Sequence, residues 1–476
     1  MTDKIISQPL TSTTRLGLNR HRGKQLPYTA KILLFFFFQA VLALVIRQSS
    51  SLSTMHAYAT LAVGIFFLVT DKEPYRLIYW MGYVAGAELL WRGTGANVFW
   101  ETGKYAIILI SALGLFKNFG KHPMNISLVP YFLLLMPAVF LMPSFNRETV
   151  AFALAGPLAI VTASMFFSRV EINTSQLKTL LLTILASVLT FSILALVGLI
   201  NAEVIEFNRA SNLFTSANTG PNQVSSLLSM GALAAFIYAF LEKEQKFLRF
   251  LVILMGIGLL VQITLTFSRG GLYTLAGSVA VGGFFFIRDK KARRSYILIV
   301  LTSFLVFYFL LFPALDQWTS GALGARLSDT EPTGRVEIVK SDLEVFMENP
   351  VFGIGLGQSN YEHARYFRVS NSHTEFSRML AEHGIFGLIS LLILAVVLGL
   401  KFLQKNEPVA KGVIVACMTW GLLFMAHSAT RLVAPSFLIG LSFAHFKLNI
   451  PTKESARGVR YSRFRITSTR YKSLGR

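Results

Sequence analysis

Charge and cysteine are what this sequence has least of. One cysteine, Cys417, stands among 476 residues and lies inside an apolar run, which excludes an internal disulfide and a cysteine-based metal site. Charged residues make up only 14% of the chain against 53% hydrophobic ones, with 41 phenylalanines. That composition excludes an ordinary soluble protein. Acidic residues are the scarcer sign, 24 against 45 Lys and Arg, for a net charge of +21. The sequence shows no repeat at a fixed period and no low-complexity tract, and neither end reads as a soluble domain.

What is present is a series of long apolar runs. A helix needs about 20 apolar residues to cross a bilayer, and up to fourteen runs qualify, from 28–46 to 434–446. The runs 77–91 and 105–116 are short, so twelve spans is the lower count. The fold expected is all-α, a polytopic membrane protein of about 12–14 helices with one long outer loop, 314–382, carrying amphipathic helices. Tyr28–Ile46 is too long, and too poorly followed by small residues, for a cleaved signal peptide, and the basic segment before it keeps the N-terminus inside.

The positive surplus is then a matter of placement. With the N-terminus in the cytoplasm, the tails and inner loops hold 32 of the 45 basic residues and 9 of the 24 acids. The outer segments hold 13 basic and 15 acidic residues. This is the positive-inside bias of a membrane protein, with anionic lipid as a further partner of the inner loops. Nucleic acid is not an expected partner.

The same topology sends several polar segments to the outer side. In LTFSRGG, Arg269 sits at an outer membrane edge, and Gly270 and Gly271 permit a tight turn or the close approach of another backbone. An arginine left near hydrocarbon costs about 2.5–3.5 kcal/mol even on a mild scale, so its presence asks for a role. The stretch NAEVIEFNRASNLFTSANTGPN carries Arg209 and ends at Pro221 and Asn222, where a helix N-terminus opens. Its plainer reading is a turn and an N-cap. Past Gly334 the sequence RVEIVKSDLEVF has a helical period, with Val336, Ile338, Val339, Leu343 and Phe346 as the apolar face. NPVFGIGLGQSN places Gly353, Gly355 and Gly357 at alternate positions; without the strand of a nucleotide-binding unit it reads as an irregular turn.

NSHTEFSRMLAEHGIFG follows, an amphipathic helix entering the span near 384, with Asn371 or Ser372 as N-cap. His373 then falls in the first turn, where the positive dipole end keeps imidazole neutral and able to accept a proton. His363 and His383 read as solvated or packing residues. Arg209, Arg269 and Arg335 share the outer surface, and guanidinium groups suit the bidentate, charge-assisted binding of a diphosphate. The competing reading is that each arginine snorkels or pairs with an outer acid, and Arg431 fits it equally well.

Five pieces in order, RASNLFTSANTGPN, LTFSRGG, TGRVEIV, NPVFGIGLG and SHTEFSRMLAEHGIFG, resemble the bacterial O-antigen ligase and polymerase superfamily over about residues 200–400. The resemblance implies an inner-membrane glycosyltransferase whose site faces the periplasm. It implies a glycan donor on undecaprenyl pyrophosphate and an acceptor that is a glycan or lipid A core, in O-antigen, capsule or exopolysaccharide assembly. By the same resemblance Arg209, Arg269 and His373 are the catalytic residues, with Arg335, Asn222 and Glu375 as further substrate-binding candidates. No cofactor and no metal is implied, and a single displacement would invert the anomeric carbon. Thr374 stands where the family often has Asn, which speaks against a specific assignment to the ligase branch. The chain divides into a basic tail (1–27), N-terminal spans (28–200), the ligase-like region (201–400), C-terminal spans (401–446) and a second basic tail (447–476). A glycan transporter or flippase is the alternative, with Glu88 as the main charge at a span midpoint.

Overall fold

The computed structural model describes residues 26–117, 119–201, 207, 211–329, 334–365 and 372–448. Arg209 and Asn371 lie outside the described residues, as does most of both basic tails. The chain is helical, as lipid requires of a spanning segment that must satisfy its own backbone groups. Among the described residues, nine helices are long and apolar enough to cross a membrane.

Several apolar runs form shorter pieces. The run 126–142 is broken into Val129–Leu133 and Met136–Leu141; Pro137, without a donor N–H, prevents one continuous helix. The run 105–116 belongs to the 15-residue helix Thr102–Phe116, which at 1.5 Å per residue reaches only about 22 Å. The run 434–446 becomes a nine-residue helix, Val433–Leu441, with every residue buried. The chain beyond it pairs in parallel as His445–Lys447 with Glu171–Asn173.

At the centre lies Pro221–Leu241, 94% buried along its apolar window. It packs against Thr174–Ile200, Lys246–Leu265 and Arg269–Phe286. The helices Tyr28–Ile46, Ser50–Thr70 and Lys290–Trp318 are largely exposed along their apolar faces, the pattern of lipid-facing helices.

One end of the bundle gathers the polar segments. The turn between Pro408–Ser428 and Val433–Leu441 dips inward there: Thr430 packs on Gly156, nine residues or about 13 Å into the helix Arg147–Phe167. A buried ion pair holds it. Arg92 donates to Glu88 at 2.6 Å and to the Arg431 carbonyl at 2.9 Å, and the Val433 N–H donates to Glu88 at 2.6 Å. Glu88 is thus a fixed tie between helices.

Candidate functional site

Arg269 is the first residue of the helix Arg269–Phe286, reached through a tight turn from Lys246–Leu265. Phe267 adopts φ 55 there, a left-handed conformation unfavourable for a bulky residue and usual only where the surroundings enforce it. The enforcement is visible. The Phe267 N–H donates to the Thr264 carbonyl at 3.0 Å, and buried Arg326 donates from Nε to the Phe267 carbonyl at 3.1 Å. Ser268 donates from its hydroxyl to Asn222 Oδ1 at 2.7 Å, and Arg335 donates to the same oxygen at 3.1 Å. Arg269 itself donates to the Asp329 carbonyl. Three guanidinium groups, Arg269, Arg326 and Arg335, therefore gather at this turn, Arg335 directly on Asn222 and Arg326 also 3.5 Å from the Asp329 carboxylate. Burial, then the charges of Arg269 and Arg326, push the Arg335 pKa below its ordinary value. Burial and Arg269 do the same to Arg326. Such a cluster favours an anion.

The glycines after Arg269 are helical, and their role is close approach. A Cβ on Gly271 would lie 2.3 Å from the Ser225 carbonyl oxygen, and one on Gly270 would lie 2.8 Å from the His427 ring. The His427 ring also meets Thr274 Oγ1 at 3.0 Å. Gly271→Ala would push two helix backbones apart, and we expect a loss of about 1–3 kcal/mol. A lower Tm in detergent is the expected reading; an unchanged Tm would contradict this contact.

His373 belongs to a separate segment. The helix predicted here is Glu375–Leu403, with Thr374 as its N-cap accepting from the Phe376 N–H at 3.2 Å. Neither Ser372 nor Asn371 is the cap, and His373 precedes the first turn, so the dipole acts on it from farther away than expected. The His373 carbonyl accepts from the Ala429 N–H at 3.2 Å. Ala429 has φ 50 and ψ −154, a region that strains a non-glycine residue. Ala429 is two residues beyond His427, a stretch of chain that spans at most about 7 Å. His427 and Ala429 thereby join the arginine cluster to the His373 segment.

Glu375 is fully buried. It accepts from Arg378 at 2.6 Å and from the Thr430 N–H and hydroxyl at 3.1 and 3.2 Å. Arg378 also donates to Glu382 at 2.7 Å. Glu382 in turn accepts from the Gly357 N–H at 3.0 Å and the Ser359 hydroxyl at 2.9 Å. Gly353, Gly355 and Gly357 all have positive φ, so the glycine stretch is the irregular turn expected. It folds over Gly384, where the helix kinks at φ 58.

Several contributors were not singled out by sequence. Arg326 stands in the same outer segment as Arg335, and His427 closes an apolar run; their position beside other polar groups was the available signal. Asp342 had none. It is buried in the helix Arg335–Glu348 and accepts from Ser377 and Ser372 at 2.5 and 3.1 Å, with His363 Nε2 2.8 Å away. That helix buries Ile338, Ser341, Asp342 and Val345, while Val336 and Leu343 are exposed, which corrects the apolar face assigned above. His363 and His383 are buried packing residues. Arg431 donates to the Ser372 carbonyl at 2.9 Å, and burial with nearby Arg378 brings its pKa down to about 10.

Two cavities open between the elements that carry these groups. One, of about 550 Å³, is lined in part by Trp100, Asn146, Gln358, Ser372, Arg378 and Ala429. The other, of about 540 Å³, is apolar, with Val281, Phe376, Leu394, Leu398, Met418 and Leu422. Its walls are the three helices that carry Arg269, Glu375 and His427.

The fold defines a multi-pass helical membrane protein. Residues 250–393 match the family model described as O-Antigen ligase, a stretch that contains Arg269, Arg326, Arg335 and His373. This match supports the likeness to the O-antigen ligase and polymerase superfamily, and with it a membrane function of that type. No curated protein matches the chain.

Proposed function

We propose that this protein is an inner-membrane glycosyltransferase that moves a glycan from undecaprenyl pyrophosphate to an acceptor hydroxyl on the periplasmic side. The observation that carries the reading is the gathering of Arg269, Arg326 and Arg335 at the Phe267–Arg269 turn beside Asn222, on a helix, Arg269–Phe286, that further along walls an apolar groove. A polyprenyl diphosphate has that chemistry, an apolar tail and a dianionic head. The bias of basic residues toward the opposite loops supports an outward-facing site. Glu88, the feature that favoured a transporter, has its oxygens engaged with Arg92 and the Val433 N–H.

In this mechanism Arg269 and Arg335 hold the diphosphate, with Arg326 adding positive potential and Arg209 joining them by the family resemblance. The acceptor oxygen attacks the anomeric carbon as the bond to the diphosphate oxygen breaks. The acceptor proton passes to His373, and undecaprenyl pyrophosphate leaves with the bonding electron pair. The charge growing on the leaving oxygen is met by guanidinium groups, so no metal is called for, and one displacement inverts the anomeric centre. Asn222 holds Arg335 in place, and Glu375 positions the turn that bonds to His373.

The test is transfer in proteoliposomes with undecaprenyl pyrophosphate-linked glycan as donor. Arg269→Ala should lower the rate by about 10²–10³-fold at matched protein levels. Arg269→Lys, which keeps the charge and loses the planar fork, should recover only part of it. Normal transfer by Arg269→Ala would sink the reading. The size and attachment of the wild-type product separate a polymerase, which extends carrier-linked glycan, from a ligase, which acts on lipid A core.

A further inference from the structure

The cavity of about 550 Å³ has a physical character unlike that of the arginine cluster and the apolar groove. Most of its lining comes from three segments distant in sequence, 99–105, 142–153 and 357–361, with Ser372, Arg378, Glu382 and Ala429 completing it. The first two lie outside the stretch 250–393 that matches the ligase family.

It also has a rim and a floor. Arg147 opens its helix, while Ala153 lies six residues, about 9 Å, further in. At the rim Phe99, Trp100 and Tyr361 are 60–67% exposed; at the floor Arg378, Glu382 and Ala429 are at most 5% exposed. The floor reaches the reacting region, because Ser372 and Ala429, the chain neighbour and the backbone partner of His373, both line it.

The lining mixes aromatic faces with hydrogen-bonding groups of both kinds. Asn146, Gln358 and Asn360 offer donors and acceptors, Arg147 offers donors, and Glu101 and Glu148 offer acceptors. Glu101 is 4% exposed, and its Oε1 has no hydrogen-bond partner among the described residues, although Oε2 meets Lys104 at 2.6 Å and Arg92 at 3.5 Å. A buried carboxylate oxygen left open in a cavity wall asks for a donor from a ligand. An aromatic belt at a lipid interface would account for Phe99 and Trp100. It would not account for the amides and the carboxylate between them.

We propose that this cavity is a carbohydrate site that takes the acceptor glycan and delivers its reacting hydroxyl to His373. A sugar ring has apolar C–H faces, which stack on Trp100, Phe99 or Tyr361, and a periphery of hydroxyls, which match the amides and Glu101. The volume falls in the range of small-ligand sites, about 300–1,000 Å³, enough for a short terminal segment while the rest of the chain leaves through the rim. The assignment to the acceptor rests on the transferase reading above; the carbohydrate chemistry of the cavity stands without it.

The experiment separates the two. Lipid-free oligosaccharides of one to three repeat units, released by mild acid from the lipid-linked glycan used as donor, are titrated against the full chain in detergent and followed by calorimetry. Saturable binding by wild type is expected, weakened at least tenfold in Trp100→Ala and in Asn360→Ala and retained in Arg269→Ala. Trp100 is an exposed rim residue and Asn360 is half-buried in the short helix Ser359–Glu362, so the two variants check each other if one folds poorly. In the transfer assay the same two variants should raise the KM for acceptor more than they lower kcat. Absence of oligosaccharide binding to wild type would overturn the proposal. So would wild-type affinity in both cavity variants, including the case in which Trp100→Ala only lowers stability in membranes. If cavity-dependent binding is found but Arg269→Ala transfers glycan normally, the carbohydrate site holds and the transferase mechanism falls.

Discussion

His373→Ala should lower transfer by about 10²–10⁴-fold, the usual contribution of a general base, with little change in stability. The second half follows from how the residue is held. Its backbone is pinned by the Ala429 N–H and by Arg431 on the preceding carbonyl, and Ser372 beside it is tied to Asp342. All of these bonds run through main-chain atoms or Ser372, so they remain in His373→Ala. The first half follows from location. Ser372 and Ala429, the chain neighbour and the backbone partner of His373, line the floor of the polar cavity, and Ala429 is two residues from the His427 ring that packs on the Arg269 helix. A group placed between an acceptor site and a diphosphate site is suited to take the acceptor proton. Added imidazole should restore part of the lost rate in His373→Ala, which a purely structural role would not permit. Normal transfer in a folded His373→Ala protein would remove this residue from the mechanism.

Much of this arrangement was legible in the sequence, and the exceptions share a cause. Arg269 and Asn222 stand out because each is a polar residue at a boundary where an apolar run begins or ends, and hydrocarbon makes such positions conspicuous; Arg335 and His373 stand in the long outer segment, where shared placement on the outer surface and the family resemblance point to them. The kink at Gly384 likewise falls where the amphipathic segment meets the apolar one. Asp342 was invisible because its partners Ser372 and Ser377 lie 30 and 35 residues away. A periodicity argument assigned its helix face by apolarity, and long-range hydrogen bonds reversed part of it. The same limit explains the span count. Val433–Leu441 is as apolar as a membrane span, yet it is buried in protein, and only the tertiary packing around Gly440 and Gly156 reveals that.

Arg378→Ala should be the most damaging substitution for folding, with a loss of about 3–5 kcal/mol, the cost of leaving buried charge uncompensated. Arg378 stands between Glu375 and Glu382 at 2.6 and 2.7 Å, and all three side chains are at most 6% exposed. Removing the guanidinium leaves two carboxylates in a space that cannot hydrate them and also deletes a 3.3 Å bond to the Ala153 carbonyl. Against a total stability of about 5–15 kcal/mol this is a large fraction, so the protein should fail to elute as a monodisperse peak in detergent or should melt well below wild type. The companion variant Glu375→Gln/Glu382→Gln/Arg378→Met removes all three charges together and should recover most of the loss, as replacement of a whole buried ionic set often does. The comparison also decides what Glu375 does. Its bonds to Arg378 and to the Thr430 N–H and hydroxyl make it a positioning residue for the turn that reaches His373. Arg378 and Glu382 also line the floor of the polar cavity, so the donor gives the reading: if positioning is the role of Glu375, the triple variant should regain stability and keep its KM for donor. A raised KM for donor in the restabilised protein would instead place Glu375 in contact with the donor.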